Sequence, residues 1–231
     1  MANKILTVKD LKNDPEVQAL INVTELQLEV LGYTEHSNRH LSIVSNWTGD
    51  VLRFVNATPR EINLGELAGY LHDIGNAVHR NQHAQSGAML AYQLLTKNGL
   101  GFEDAAEIML AIGNHDEDKG TPVSKISAAL IIADKADVHK SRVRKIRTSQ
   151  SGSVNKYLQD IHDRVNTAAE NSFLLYNSND NEIVLNLTIN TNICTVMDYF
   201  EIYFSRTSFS RSAAQFLKCK FGLIINGVRL L

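Results

Sequence analysis

The sequence predicts a mainly α-helical bundle that closes in a small ββαβ unit. Three observations predict it. Proline occurs only 3 times in 231 residues, which favours long uninterrupted helices. Apolar residues recur at helical spacing through most of the first 170 positions. After Asn171 the period switches to two: Ile183, Leu185, Leu187 and Ile189 alternate with other residues. The expected division is a helical domain over 1–170 and an α+β subdomain over 171–231.

Taken in order, Asp14-Pro15 caps and starts a helix that Gly32 ends after Leu31. A second helix is expected from about His36 to Phe54, and a third from Thr58-Pro59 to Asp73, stopped by Gly75. Gln82 to Thr96 and Glu103 to Gly113 follow, and then a polar loop from Asp116 to Thr121. Pro122 and Ser124 open a helix expected to run through Asp137 and on toward Arg147. Thr148 to Ser153 reads as a linker, and 154–170 as another helix. Phe173 to Tyr176 pairs with the alternating strand across Asn179-Asp180-Asn181. An aromatic-rich helix from Val196 to Lys220 and a strand from Phe221 to Leu230 complete the unit.

Composition narrows the function. Hydrophobic residues at 44% and charged residues at 21% exclude a disordered or fibrous chain. A net charge of −2 gives no global field toward nucleic acid or membrane, so neither is expected as the main partner. Two cysteines exclude a disulfide scaffold or a Cys-rich zinc module. No apolar run approaches the roughly 18 residues of a membrane span. The first ten residues, with Lys4, Lys9 and Asp10, lack the apolar core of a leader, so a cytoplasmic location is expected.

Histidine is the unusual residue. All eight lie between His36 and His162. On successive helices a ligand-type side chain continues the buried stripe: His36 and His40 ahead of Ile43, Val44 and Trp47; His72 after Leu64, Leu67, Ala68 and Leu71; His83 ahead of Gly87, Leu90 and Leu94. His115 follows Ile108, Ala111 and Ile112, and Asp134 follows Ile126, Leu130 and Ala133. A buried carboxylate is costly unless it is paired or binds metal, and imidazole with carboxylate is a ligand set for first-row divalent cations. Six candidates (His36, His72, Asp73, His83, His115 and Asp134) suit two metals with one bridging carboxylate. Asp73 is the natural bridge, and His79 competes with His83 as third ligand. His40, His139 and His162 read as hydrogen-bonded core residues, and Asp116 and Asp137 as loop and surface carboxylates.

The order His36, His72-Asp73, His83, His115, Asp134 resembles the HD superfamily of metal-dependent phosphohydrolases over roughly residues 30–147. Glu35-His36-Ser37-Asn38-Arg39 looks like the first-ligand segment, and Leu71-His72-Asp73-Ile74-Gly75 matches the name-giving motif. His83-Ala84-Gln85-Ser86-Gly87-Ala88 is similar to the third-ligand segment of dinuclear members, and Ile131 to Asp137 resembles the closing aspartate helix. The sequence departs from cyclic-dinucleotide-cleaving relatives at Asn76, where many have Lys. It departs again at Asn114-His115-Asp116 with Gly120-Thr121-Pro122, where they carry His-His-Glu and Gly-Tyr-Pro.

The resemblance implies an HD-type helical bundle and hydrolysis of a phosphate ester or anhydride, with a small phosphorylated, nucleotide-like substrate. It implies two divalent cations, Fe or Mn first, with Mg, Ni, Co or Zn compatible. Asp73 is then catalytic as well as a ligand. Arg39, three residues after His36, and Lys135 are candidate catalytic cations. Arg142 and Lys145 are candidate phosphate contacts. On a continuous helix Arg142 would lie ~12 Å beyond Asp134, and the neighbouring basic residues would form a solvated helix end. Two other readings compete. One is a di-iron oxygenase of the same superfamily. The other is a non-catalytic metal-bearing sensor or scaffold, supported by the aromatic helix with Tyr199, Phe200, Tyr203 and Phe204, which reads as the core of its own small domain or, instead, as a homodimer interface or a gate on the site.

Overall fold

The computed structural model describes residues 5–144 and 161–231. Lys145, the segment read as a linker and the start of the 154–170 helix lie outside them, as does the side chain of His162. The chain is mostly helical with a four-stranded sheet near its C-terminal end, as the periodicity predicts.

A short helix α1 (Val8–Asn13), not foreseen, precedes α2 (Pro15–Leu31). Asp14 caps α2 by accepting from the Glu16 and Val17 amides, and Gly32 ends it at φ 80°. Next come α3 (Asn38–Phe54) and α4 (Pro59–Leu71). Thr58 and Glu61 form a reciprocal capping box at the start of α4. After α5 (His83–Lys97), α6 (Phe102–Gly113) and α7 (Lys125–Ala136), the stripes Leu64, Leu67, Ala68, Leu71 and Ile108, Ala111, Ile112 meet in a shared core. Replacing a side chain as fully buried as Leu67 with Ala would cost roughly 2–5 kcal/mol.

The helix opened by Ser124 does not reach Arg147. It ends at Ala136, Asp137 turns away at ψ 75°, and a 3-10 turn covers Lys140–Arg142. The reason is tertiary: the Asp137 carboxylate is drawn inward by Arg39 and His40. The continuous helix expected to carry Asp134 and Arg142 therefore does not exist. Arg142 folds back to a buried position, and Arg144 pairs with Glu25 on α2 at 3.0 Å rather than ending a solvated helix.

Helix α8 (Ile161–Ala168) runs directly into β1 (Ala169–Asn177), which pairs antiparallel with β2 (Glu182–Ile189). Helix α9 (Val196–Phe216) crosses over, so β3 (Lys220–Ile225) lies parallel to β2. The last expected strand is two: Asn226 and Gly227, at φ 51° and 78°, turn the chain into β4 (Val228–Arg229). The unit is ββαββ, and Asn-Gly is the dipeptide that favours such a hairpin. The core is continuous from α3 through α7 to Tyr199, Tyr203 and the sheet. Helix α9 therefore packs against the bundle beside its polar end.

Candidate metal centre and substrate pocket

The candidate ligands gather where helix ends meet. His36 lies just before α3, held by its amide donating to Glu25 Oε1 at 2.7 Å. His72 and Asp73 follow the last turn of α4, with Asp73 at φ −95°, ψ 0°, a sparsely used conformation common at functional sites. His83 is the first residue of α5, entered through Gln82 at φ 64°. His115 lies just past α6, and Asp134 is in the last turn of α7. A Cβ at Gly75 would lie 2.0 Å from the His83 carbonyl and 2.4 Å from the Gly87 amide. Only glycine lets the turn after Asp73 approach α5 so closely.

Each imidazole is oriented from behind. His72 Nδ1 faces the Gly69 carbonyl at 2.9 Å, His83 Nδ1 that of Arg80 at 3.1 Å and His115 Nδ1 that of Ile112 at 2.7 Å. His36 Nδ1 faces the Thr34 carbonyl at 2.7 Å. A carbonyl only accepts, so each Nδ1 carries hydrogen. In a neutral ring Nε2 is then a lone pair aimed inward, the arrangement by which second-sphere groups prepare a metal-binding histidine.

Asp73 stands at the centre, 3% exposed. Its Oδ2 lies 3.1 Å from His72 Nε2, 3.5 Å from His40 Nε2 and 3.8 Å from His36 Nε2. Its Oδ1 lies 3.5 Å from His83 Nε2 and 4.0 Å from His115 Nε2. Asn76 donates to Asp73 Oδ1 at 3.1 Å and to its carbonyl at 2.9 Å. Asn76 thus orients the central carboxylate. Asp134 Oδ1 closes the cluster at 3.5 Å from both His40 and His72 Nε2.

The electrostatics of the metal-free cluster follow from this packing. Burial holds His36 well below its ordinary value, lowers His83 and pushes His115 down to about 3. His72 goes the other way: burial alone would lower it, but the Asp73 carboxylate and the Asp134 hydrogen bond raise it to about 10. His40 is also raised; against burial and the Arg142 charge, its bonds to Asp134, Asp137 and Asp73 prevail. Asp73 and Asp134 are held well below the carboxylate range despite burial, Asp73 mainly by His72 and Asp134 mainly by Lys135. His83 and His115 both remain neutral, yet their Nε2 atoms approach to 3.2 Å. Two lone pairs at that distance cannot bond each other, whereas a cation at the usual ~2.1 Å from each would accept both. His40, His72 and Asp134, and separately His72, Asp73 and His115, place ligand atoms within 4.8 Å of one another. The donor set fits divalent metal.

Several sequence expectations change. His83, not His79, enters the cluster; His79 instead accepts from the Asn81 amide outside it. His40, read as a core residue, is fully buried with its Nε2 3.3 Å from His72 Nε2. His139 does hydrogen-bond as expected, to the Glu170 carbonyl at 3.0 Å. Asp137 is no surface carboxylate; it is 2% exposed and bonds His40 Nδ1 at 2.8 Å. Arg39 does not face the cluster, because both its terminal nitrogens reach Asp137, at 3.2 and 3.3 Å. Lys135 is buried and spends its ammonium on Asp134 Oδ2 at 2.7 Å and on Glu117. It positions a candidate ligand rather than greeting a substrate.

A cavity of about 600 Å³ opens over His36 and His83. Arg80, Lys119, Arg142 and Arg206 place positive charge around it, and Asp116, Glu117, Asp118 and Asp163 negative charge. Sequence reasoning missed Arg80, Lys119 and Arg206, which carry no motif. Arg206 enters from α9, with its Nε 3.0 Å from Glu117 Oε1 and its guanidinium 4.7 Å from the Tyr203 ring centre.

Residues 28–141, about half of the chain, match the HD domain family. HD domains bind divalent metals, and the His/Asp clusters here are able to hold them. The chain is 30% identical to an uncharacterized protein of Methanocaldococcus jannaschii, across 49% of this chain and 52% of that one. It therefore spans about half the length of the curated relative it matches. It is also similar, at 22% identity and a TM-score of 0.42, to the crystal structure of a predicted HD superfamily hydrolase from an uncultured Thermotogales bacterium. That match covers 58% of this chain and 75% of the other. Among the described residues no helix is long and apolar enough to cross a membrane.

Proposed function

We propose that the protein hydrolyses a phosphate ester or anhydride in a small, nucleotide-like substrate, using two divalent cations, with Fe or Mn the preferred pair. The observation that carries this reading is the division of Asp73. One oxygen faces His36, His40 and His72, and the other faces His83 and His115. A carboxylate so shared suits two cation positions. His36, His40, His72 and Asp134 would hold one, His83 and His115 the other, and Asp73 both. When bound, the cations supply Lewis acidity that activates water near neutral pH and offsets phosphoryl charge.

The protein's own residues do the rest. The carbonyls behind the imidazoles fix the rings in place. Asn76 and Lys135 fix the two carboxylates. Arg80, Lys119, Arg142 and Arg206 draw an anion into the cavity, and Arg142 is the most buried of them. The substrate end left in the cavity is positioned, so that attack needs mainly alignment and charge stabilisation. The test is elemental analysis of protein purified without chelator, together with phosphate release from a broad panel after Mn²⁺ loading. Two equivalents of metal with release from at least one phosphorylated compound is expected. Two equivalents with no release anywhere would remove the hydrolytic reading and leave a metal-bearing scaffold.

A further inference from the structure

The cavity has two walls of different origin. One comes from the HD segment. The other is built by Arg142, Asp163, Asn166, Tyr203 and Arg206, all beyond residue 141, where the family match ends. Two side chains in this second wall are 95% or more buried, since Arg142 is 5% and Asn166 4% exposed. Among the described residues each leaves a polar atom without a partner: Arg142 Nε and Asn166 Oδ1. Leaving a buried donor or acceptor unpaired costs its full desolvation, so an unpaired donor and acceptor in one cavity wall point to a ligand that supplies both partners.

Charge adds to this. Arg142 Nη1 donates to the Asp137 carbonyl at 3.2 Å, and its nearest carboxylate contact is Asp137 Oδ2 at 3.8 Å. That carboxylate already serves Arg39 and His40. The guanidinium is thus under-compensated and holds an unused donor. Its printed ion pair with the cluster's surroundings is to Asp137, on the Nδ1 side of His40, so its anion would sit beside the candidate metal positions rather than on them.

We propose that this wall is a second subsite, which binds the non-reacting end of the substrate, and that this end carries an anionic group next to a hydroxyl. The anion accepts from Arg142 Nε, and the hydroxyl donates to Asn166 Oδ1. Tyr203 and Arg206 on α9 complete the wall, so the unit that follows the HD segment selects the substrate. The proposal rests on the hydrolytic reading for its word "substrate", but the binding it describes needs no metal.

The experiment uses the full chain in chelator and measures calorimetric binding of ribose 5-phosphate, inorganic phosphate and ribose. Ribose 5-phosphate should bind about tenfold more tightly than inorganic phosphate, the worth of one well-made hydrogen bond, and ribose alone should not bind. Asn166→Leu should abolish the tenfold gap, and Arg142→Met should weaken both phosphorylated probes. Asn166→Asp, nearly equal in volume, keeps the test open if the leucine variant fails to fold, and should repel both probes. Equal binding of the two phosphates by the native chain, or an unchanged gap in both Asn166 variants, would overturn the subsite. Loss of phosphate release with this binding intact would count only against hydrolysis.

Discussion

The two halves of the cluster are built from the same residue types and behave differently. In the inner half His40 and His72 lie fully buried between Asp73 Oδ2 and Asp134, and both are raised. In the outer half His83 and His115 share Asp73 Oδ1, Asp116 lies 3.9 Å behind His83, and burial keeps both neutral. The cavity is lined by His83 from the outer half and His36 from the inner half, whereas His40 and His72 lie behind them. The difference is carboxylate count at Nε2. With Asp73 and Asp134 close to their Nε2 atoms, His40 and His72 take up protons that stand in for a cation, whereas the outer pair, with one oxygen of Asp73 near its Nε2 atoms, stays as bare lone pairs. A metal bound by His40 and His72 must displace their protons, while one entering the outer half meets neutral donors.

Removing the shared carboxylate should break both halves. Breaking one partner out of a buried charge network costs on the order of 3–5 kcal/mol, so Asp73→Asn should lower metal affinity by roughly two to four orders of magnitude, and turnover with it. Metal content by elemental analysis is the readout. Retention of two equivalents would show that Asp73 is not the joint. Gly75→Ala acts on the joint from outside. Its added methyl meets backbone at 2.0 and 2.4 Å, and overpacking of this kind typically costs about 1–3 kcal/mol. Because α5 carries His83, the variant should melt lower and lose the outer equivalent of metal before the inner one.

The halves were not equally legible in the sequence. The bundle, the C-terminal α+β unit and the cluster members His36, His72, Asp73, His83, His115 and Asp134 could be read, because each continues an apolar stripe. His40 could not, because a histidine on a buried stripe looks the same whether it fills the core or faces a cluster; only its distance to His72 and Asp137 separates the cases. Arg39 and Arg142 exchanged places for one reason. The sequence cannot show that Asp137 leaves the helix, and that single break turns Arg39 outward onto Asp137 and brings Arg142 back into the cavity. The Asn226-Gly227 turn, by contrast, was legible and simply overlooked.

Proton release separates the halves more finely. In the metal-free fold His72 is raised from 6.5 to about 10, so its contribution to stability is fully present below 6.5 and is lost as pH rises through about 10. His115 is lowered from 6.5 to about 3, so its contribution is present above 6.5 and is lost as pH falls toward about 3. Metal competes with the proton on His72 but not with one on His115. Affinity for the inner metal should therefore rise with pH, by up to about tenfold per unit for each proton displaced. Calorimetry in buffers of different ionisation enthalpy counts those protons near pH 7.5. His72→Asn should lower the count by about one and His115→Asn should leave it unchanged; equal loss in both would erase the asymmetry.

The smallest effect belongs to Arg39, and it bears on the edge of the inner half. Its fork on Asp137 is about one-third exposed, and pairs with that much solvent contribute roughly 0.2–1 kcal/mol. Asp137 also keeps His40 and lies 3.8 Å from Arg142 when Arg39 is removed. Arg39→Met should therefore lower the melting temperature slightly and leave KM for a phosphorylated substrate unchanged. A group that held phosphate would behave the other way, raising KM with stability intact. That outcome would mean that Arg39 swings off Asp137 toward the metals when substrate enters, and that the inner half is less closed than its burial implies.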